Sequence, residues 1–336
     1  MSRIEVLPKL SAENYCRHHL HSSDALWEEK NCYVDLWIEL LSTLKLEPLA
    51  MLPLTLAVDF EGDQWTFFKP SHDELRDLYG IDVQELTVWR PLIEHAQTHL
   101  NAGKLIATEA DAFWLPDTAG TDSRSKHSKT TILLTTLDVK AHQAGYFHNA
   151  GYFEVSGEDF VQLFRLNTRS DPEFVPLFAE LIRIDRLVRK PQIELALSSF
   201  ELLQWHFARH PLKNPFGRFA DCFAKELPEL QAKGLSYYHA WAFATIRQAG
   251  AAFSLAAANL RWQAGLLGYR YLEDAAECFD GISQNCKVLI LKGARAVNTQ
   301  RSFEISPIFS EMAQAWDLGM TVLVQNLNQP NQHRYE

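Results

Sequence analysis

The sequence predicts an α+β domain followed by a mainly helical domain. Strand-like and helical segments alternate in the first part of the chain, whereas helical periodicity prevails after residue 158. The charge is uneven as well. Residues 1–150 hold 13 of the 32 Lys and Arg but 22 of the 42 Asp and Glu. The rest of the chain holds 19 basic and 20 acidic residues and is therefore nearly neutral. We therefore expect an α+β domain at 1–157 and a helical domain at 158–336.

The elements of the first domain follow from local pattern. Asn31, a typical N-cap residue, stands before an apolar run at helical spacing, so a helix is predicted over 26–46. Two apolar segments at 52–60 and 64–70, joined by a Glu-Gly-Asp turn, predict a β-hairpin. The same patterns predict a helix over 91–100 and strands over 104–116, 130–138 and 145–155, the last two forming an antiparallel hairpin.

The second domain is predicted to be a succession of helices separated by Pro and Gly. No internal repeat of fixed period is present. The predicted helices cover 173–189, 192–209, 216–232, 236–267, 270–280, 285–299 and 307–322.

Composition excludes several classes of function. The net charge of -10 gives no broad basic surface for nucleic acid. No run of about 18 apolar residues predicts a membrane span, and no signal peptide is visible at the N-terminus. Five cysteines without a CxxC pair indicate reduced thiols, so we expect a cytoplasmic protein.

The strong binding motifs for phosphate, calcium and catalytic zinc are absent from the sequence. His18, His19 and His21 crowd the segment before the first helix, but their spacing fits no closed zinc pattern. We expect a solvated cluster of histidines there, and no metal site.

One cysteine falls where a nucleophile is expected. Cys32 lies in the first turn of the predicted helix, where unpaired N–H groups and the helix dipole favour a thiolate. The alternative is a small buried residue. His127 precedes a predicted strand, and His148 and Asn149 lie on the next one. This order of Cys, His and Asn is the layout of papain-like enzymes, with His127 or His148 as the base and Asn149 as the residue that orients it.

Six long phrases of the chain resemble the bacterial domain-of-unknown-function family numbered 1839. Members of that family tend to be encoded beside ligases that load amino acids onto carrier proteins. The resemblance therefore implies a role in handling a carrier-bound aminoacyl thioester. The phrases are NCYVDLWIELL, LPLTLAVDFEGDQWTFFKP, LYGIDVQELTVWRPL, TEADAFWLPDTAGTD, GYFHNAGYFEVSGEDF and YYHAWAFATIRQAGAAFSLAAANLRW.

The chain also resembles, more distantly, the acyltransferase family of butirosin biosynthesis, which has a papain-like N-terminal domain and a helical C-terminal part. That resemblance implies Cys32 as the nucleophile. Asp111 matches an acidic position at a strand end, and Asn149 or His148 matches the orienting residue. In those relatives the His leads its strand directly, whereas here His127 lies three or four residues before that register.

Together these resemblances imply a cysteine-dependent acyltransferase or thioesterase. Its substrate is an aminoacyl or small acyl group on a carrier-protein thioester, and the acceptor is an amine. No bound cofactor is expected, because the phosphopantetheine arm belongs to the carrier. Backbone N–H of Cys32 and the Asn31 side chain are candidate oxyanion donors. The alternatives are a Cys-dependent amidase or peptidase, and a non-catalytic partner that binds the carrier.

Two further groups are candidates for binding the substrate, and each has a plainer alternative. The first is an acidic turn beside an aromatic ring, which could receive an α-ammonium or be only a polar turn. The second is a pair of carboxylates on one strand face, which could rim a site or be only exposed. The acidic turn is formed by Asp59 and Glu61 beside Trp65. The pair on the strand is Glu109 and Asp111, beside Trp114.

Cations of the helical half form a third candidate group. They could meet the phosphate of the carrier's arm and an acidic carrier surface, or form a solvated helix face. They are Arg247, Arg261, Lys287, Lys292 and Arg295.

Overall fold

The computed structural model describes residues 3–167, 177–301 and 304–327. The chain forms two compact units that are interleaved along the sequence, and the predicted division after residue 157 falls inside the first of them. Unit 1 comprises Met1–Ser23, Asn31–Pro48 and Ser71–Arg189. Unit 2 comprises Asp24–Lys30, Leu49–Pro70 and Lys190–Glu336.

A seven-stranded antiparallel sheet is the framework of unit 1. Its strands are β1 (Ile4–Glu5), β4 (Asp82–Glu85), β5 (Leu105–Asp111), β6 (Lys129–Asp138), β7 (Gln143–His148), β8 (Gly151–Ser156) and β9 (Ala179–Arg183). The order is β4-β9-β5-β6-β7-β8, and β1 pairs with the end of β6. The predicted antiparallel pairing of 130–138 with the following strand is confirmed.

Within the described part of unit 1, four α-helices accompany this sheet: α1 (Cys32–Thr43), α2 (His72–Tyr79), α3 (Leu92–Asn101) and α4 (Gly157–Leu163). Ile106 of β5 is paired directly with Leu134 of β6, so the two side chains point to the same face of the sheet. They belong to a buried apolar cluster with Leu100 of α3 and Phe160 of α4. α1 packs on β6 and β7.

α1 begins at Cys32, directly after its N-cap residue Asn31. The Asn31 side chain accepts a hydrogen bond from the backbone N–H of Val34 at 2.8 Å, which confirms the predicted N-cap. The helix starts at Cys32 rather than at residue 26, since the preceding residues belong to unit 2. Val34, Trp37 and Leu41 follow at helical spacing and are fully buried.

A buried ionic group fastens the segment before α1 to that helix. The imidazole of His21 lies between the carboxylates of Asp35, at 3.0 Å from Nε2, and Glu39, which contacts Nδ1. The Tyr15 hydroxyl and the His18 backbone N–H also donate to Glu39. His21 is therefore not part of a solvated cluster, as the sequence had suggested, but a buried residue with a carboxylate at each ring nitrogen.

The described residues of unit 2 form six α-helices, a 3₁₀ run and a short hairpin. The helices are α5 (Gln192–Phe207), α6 (Pro215–Lys233), α7 (Leu235–Ala244), α8 (Ile246–Leu267), α9 (Arg270–Thr299) and α10 (Ser306–Leu327); the hairpin pairs β2 (Phe60–Glu61) with β3 (Gln64–Trp65). The indole N–H of Trp27 donates to Ser283 at 2.8 Å, and the Ser283 hydroxyl donates to the Gly250 carbonyl. None of the helices that the structure describes is long and apolar enough to cross a membrane.

The predicted strand over 52–60 is wrong for most of its length. Pro48–Ala57 forms a 3₁₀ run, and only Phe60 and Glu61 of the segment pair as a strand. This run is almost continuously apolar and buried, so periodicity cannot distinguish a strand from a helical turn. The hairpin itself is confirmed, but it is much shorter than expected.

Three helix predictions also differ from the structure. The predicted helix over 173–189 is wrong where it can be compared, because Ala179–Arg183 is a strand; residues 173–176 lie outside the described chain. Thr245 interrupts the predicted helix over 236–267 between α7 and α8. The two helices predicted over 270–280 and 285–299 are the single helix α9.

Candidate functional site

A cavity of about 300 Å³ opens in unit 1 where β5 ends and β6 begins. Its wall combines both charge signs with an indole ring. The polar and aromatic lining residues are Glu109, Asp111, Trp114, His127, Ser128, Lys129, Gln162 and Arg165.

A histidine–aspartate pair stands in this cavity. Because Asp111 is paired with Lys129 across the two strands, the residues just before Lys129 come beside it. The Asp111 carboxylate lies 2.6 Å from Nδ1 of His127, and the Phe113 ring stacks on the imidazole at 4.3 Å. The His127 side chain is 69% exposed. A neutral His127 that donates from Nδ1 has Nε2 as an acceptor, the arrangement that a general base needs.

Asp111 itself is fixed by the backbone. Its second carboxylate oxygen accepts the N–H of Phe113 at 3.1 Å, which starts a short 3₁₀ turn. The sequence predicts Asp111 in the substrate site and Asn149 or His148 as the residue that orients the base. The structure instead brings Asp111 to His127. Glu109 lies two residues earlier on β5 and pairs with Lys129 at 3.1 Å.

His148 is buried within a network of hydrogen bonds. Its Nδ1 lies 2.6 Å from Asp117 and its Nε2 lies 2.7 Å from the Thr130 hydroxyl, and it is only 1% exposed. The Tyr146 hydroxyl donates to the same Asp117 carboxylate, and burial together with that carboxylate raises the pKa of Tyr146. Because both ring nitrogens are occupied, His148 could act as a base only after this network opened.

Asn149 forms the turn between β7 and β8. Its φ of 44° lies in the left-handed region, which Asn tolerates better than most residues. The predicted strand over 145–155 is thus two strands. Among the described residues, no histidine is hydrogen-bonded to the Asn149 side chain. No contact in this structure therefore supports the orienting role expected for Asn149.

Cys32 is the first residue of α1 and is partly exposed. Its thiol makes no hydrogen bond with any described residue, so neither His127 nor His148 is joined to it. The Asn31 side-chain oxygen already accepts the hydrogen bond that caps α1. A ligand that contacted this oxygen would therefore share it with the helix.

A second histidine–carboxylate pair lies close to the start of α1, and sequence analysis missed it. The hydroxyl of Tyr33, the residue after Cys32, donates to Glu180 at 2.9 Å, and His72 Nε2 lies 3.1 Å from the same buried carboxylate. Burial and then the Glu180 charge raise the pKa of Tyr33. The S-x-x-E capping pattern from Ser71 places His72 at a helix start, but no local pattern in the sequence identifies Glu180 of β9 as its partner.

The other predicted binding residues belong to unit 2. Asp59 pairs with Arg218 at 2.6 Å, and Glu61 is exposed on β2. Trp65 is 4% exposed and packs among aromatic rings, which favours the plainer alternative of a polar turn over a packed indole. Arg247 lies over the Phe243 ring, 3.8 Å from a Glu29 carboxylate oxygen.

No group of three or more His, Cys, Asp or Glu side chains suited to a metal ion occurs within the described ranges.

Comparison with known proteins gives the family of this chain. The model of the DUF1839 N-terminal domain matches residues 16–184, and that of the DUF1839 C-terminal domain matches residues 192–325. No curated protein matches the chain. The two matches span most of unit 1 and of the helices of unit 2. The chain therefore belongs to the DUF1839 family.

Proposed function

We propose that this protein transfers an aminoacyl or other small acyl group from a carrier-protein thioester to an amine, on a papain-like scaffold. The observation that carries the proposal is the Asp111–His127 pair at an open cavity. Aminolysis of a thioester requires a group that removes the proton of the attacking amine. Nε2 of His127 has no hydrogen-bond partner among the described residues, and the Asp111 carboxylate fixes the orientation of the ring, which suits His127 to that task.

Cys32 is the nucleophile in this proposal. Its sulfur attacks the thioester carbonyl, an Sγ–C bond forms, and the bond to the phosphopantetheine sulfur breaks, so the carrier leaves as a thiol with the cysteine proton. The amine then attacks the acyl-Cys32, its proton passes to His127, and the Cys32 thiol is restored by that proton. The start of α1 supports the role, because helix N-termini stabilise thiolate and oxyanion charge.

The cavity supplies contacts of the kind that an aminoacyl group needs. Glu109 offers a carboxylate for the α-ammonium, and Trp114 offers an apolar wall for a side chain. The phosphopantetheine arm arrives with the carrier as part of the substrate.

The proposal is tested by intact-protein mass spectrometry and by product analysis. Wild type, Cys32→Ala, His127→Gln and Asp111→Asn are mixed with aminoacyl-loaded carrier protein and a panel of amines. We expect an acyl adduct on wild type that Cys32→Ala lacks. We expect amide formation to fall by about two orders of magnitude or more in His127→Gln and Asp111→Asn. His239→Gln, an exposed histidine of unit 2, is the matched control.

The pattern of losses separates two mechanisms. If Cys32→Ala still forms the amide while His127→Gln does not, the amine attacks the carrier thioester directly and His127 acts alone. Amide formation at the wild-type rate in both variants would refute the catalytic proposal.

A non-catalytic role is the second candidate, and one observation favours it. The Cys32 thiol is hydrogen-bonded to no histidine among the described residues, which fits a scaffold that binds a carrier without reacting. This candidate predicts that all three variants bind the loaded carrier as wild type does and leave its thioester intact.

A further inference from the structure

One face of α9 carries opposite charges at its two ends. Residues three and four apart share a helix face, so a single stripe follows the helix for about 30 Å. Every residue of this stripe is exposed except the glycine, which is half-buried. We call it the α9 outer face, and its charged and small residues are Asp274, Glu277, Gly281, Val288, Lys292 and Arg295.

Among the described residues, the charges of the α9 outer face have no oppositely charged partner. Between Gly281 and Thr299 the helix has no acidic residue, so its second half is purely cationic. Asp274, Glu277, Lys292 and Arg295 form no ion pair with any residue of the described ranges. By contrast Arg261 of unit 2 is paired with both Glu273 and Asp280, which are also on α9.

Between its charged ends the face carries Gly281, the exposed amide of Gln284 and two exposed apolar side chains. Val288 is 37% exposed and Leu291 is 65% exposed. A side chain added at Gly281 would meet nothing within 4 Å. Glycine inside a helix costs about 1 kcal/mol relative to alanine. No described residue of the chain occupies the space at Gly281, whereas a second helix that approaches closely would need it.

We propose that two copies of this chain associate through the α9 outer face, with the two helices antiparallel. A two-fold axis between residues 284 and 285 sets Asp274 opposite the partner's Arg295 and Glu277 opposite the partner's Lys292. Gly281 then faces the partner's Val288. Each contact occurs twice in such an interface, so four ion pairs flank a centre that contains Gln284 together with Gly281 and Val288.

Charge selects both the orientation and the partner. A parallel arrangement would place like charges together along the whole stripe and is disfavoured. An acidic protein, such as a carrier, would be attracted to the cationic half and repelled by Asp274 and Glu277. A second copy of α9 is complementary at both ends, which is why we commit to self-association.

The test is a charge swap followed by sedimentation velocity over a concentration series. In the dimer, Asp274→Arg sets Arg against Arg, and Arg295→Asp sets Asp against Asp. Each variant alone should dimerise about tenfold or more weakly than wild type. An equal mixture should recover the dimer, because position 274 of one chain then meets an opposite charge at position 295 of the other.

The matched controls change the same charges elsewhere. Asp221→Arg and Lys225→Asp alter exposed residues of α6 and should leave dimerisation unchanged. Circular dichroism checks that every variant folds. A wild type that remains monomeric at its highest soluble concentration would overturn the proposal, as would single variants that dimerise normally or a mixture that does not recover. Loss of carrier binding in Arg295→Asp, without self-association of wild type, would instead assign the cationic half to the carrier.

Discussion

The ionic group at His21 offers the sharpest prediction about stability. In the structure the side chains of His21, Asp35 and Glu39 have no solvent exposure. His21→Ala would remove the imidazole that contacts both of these buried carboxylates, which lie four residues apart on α1. Removing one partner from a buried ionic group costs about 3–5 kcal/mol, because the remaining charge stays desolvated. We expect His21→Ala to lower the free energy of unfolding by about that amount.

The consequence is measurable by heat and by proteolysis. For a protein of this size, about 2–4 °C of melting temperature corresponds to each kcal/mol, so Tm should fall on the order of 10 °C. The segment around Tyr15 and His18, which Glu39 also holds, should become the first site of proteolytic cleavage. His19→Ala, at an exposed neighbouring position, should change neither measurement.

A compensating variant tests the physical reason. If the loss arises from unpaired charge, adding Asp35→Asn and Glu39→Gln to His21→Ala should recover part of the lost stability. If His21→Ala lowers the free energy of unfolding by less than about 1 kcal/mol, the reasoning is refuted. It would mean that the imidazole contributes no more than an exposed pair does.

Three further predictions concern single residues. Burial raises the pKa of the Cys286 thiol, so iodoacetamide should label the exposed Cys16 first and reach Cys286 only on unfolding; early labelling of Cys286, read by peptide mass spectrometry, would contradict this. Ser283→Ala leaves a buried indole N–H without its acceptor and should cost about 1–3 kcal/mol in urea unfolding, whereas Ser283→Thr keeps the hydroxyl and should cost less. Gly80→Ala should cost about 1–3 kcal/mol or more, because Gly80 has φ 71° and an added Cβ would lie 2.1 Å from the Arg186 carbonyl oxygen; a thermal melt equal to wild type would disprove this.

Local signals in the sequence were sufficient for several elements of the fold. The Asn31 cap and the apolar spacing after it mark α1, and the strand over 130–138 is found within one residue of its start. These features depend on neighbours a few residues apart. The division into an α+β part and a helical part is also visible, since it rests on long stretches of consistent periodicity.

Contacts between distant segments could not be foreseen. The Asp111–His127 pair depends on the register of β5 against β6, which no single segment encodes. The Glu180 partner of His72 lies on a strand that was predicted as a helix, because a short strand buried on both faces shows no alternation. The burial of Trp65 could not be foreseen either, because most of its aromatic neighbours come from the distant helices α6 and α8.

The interleaving of the two units has a consequence for synthesis on the ribosome. Leu49–Pro70 emerges early, but its unit is completed only by residues from Lys190 onward. The intervening segment takes roughly 6–24 s to translate at 5–20 residues per second. During that time an apolar stretch that ends up buried has no native partner, which makes it a natural target for chaperones. Expression of residues 1–189 alone would leave this stretch exposed permanently, so we expect that fragment to aggregate.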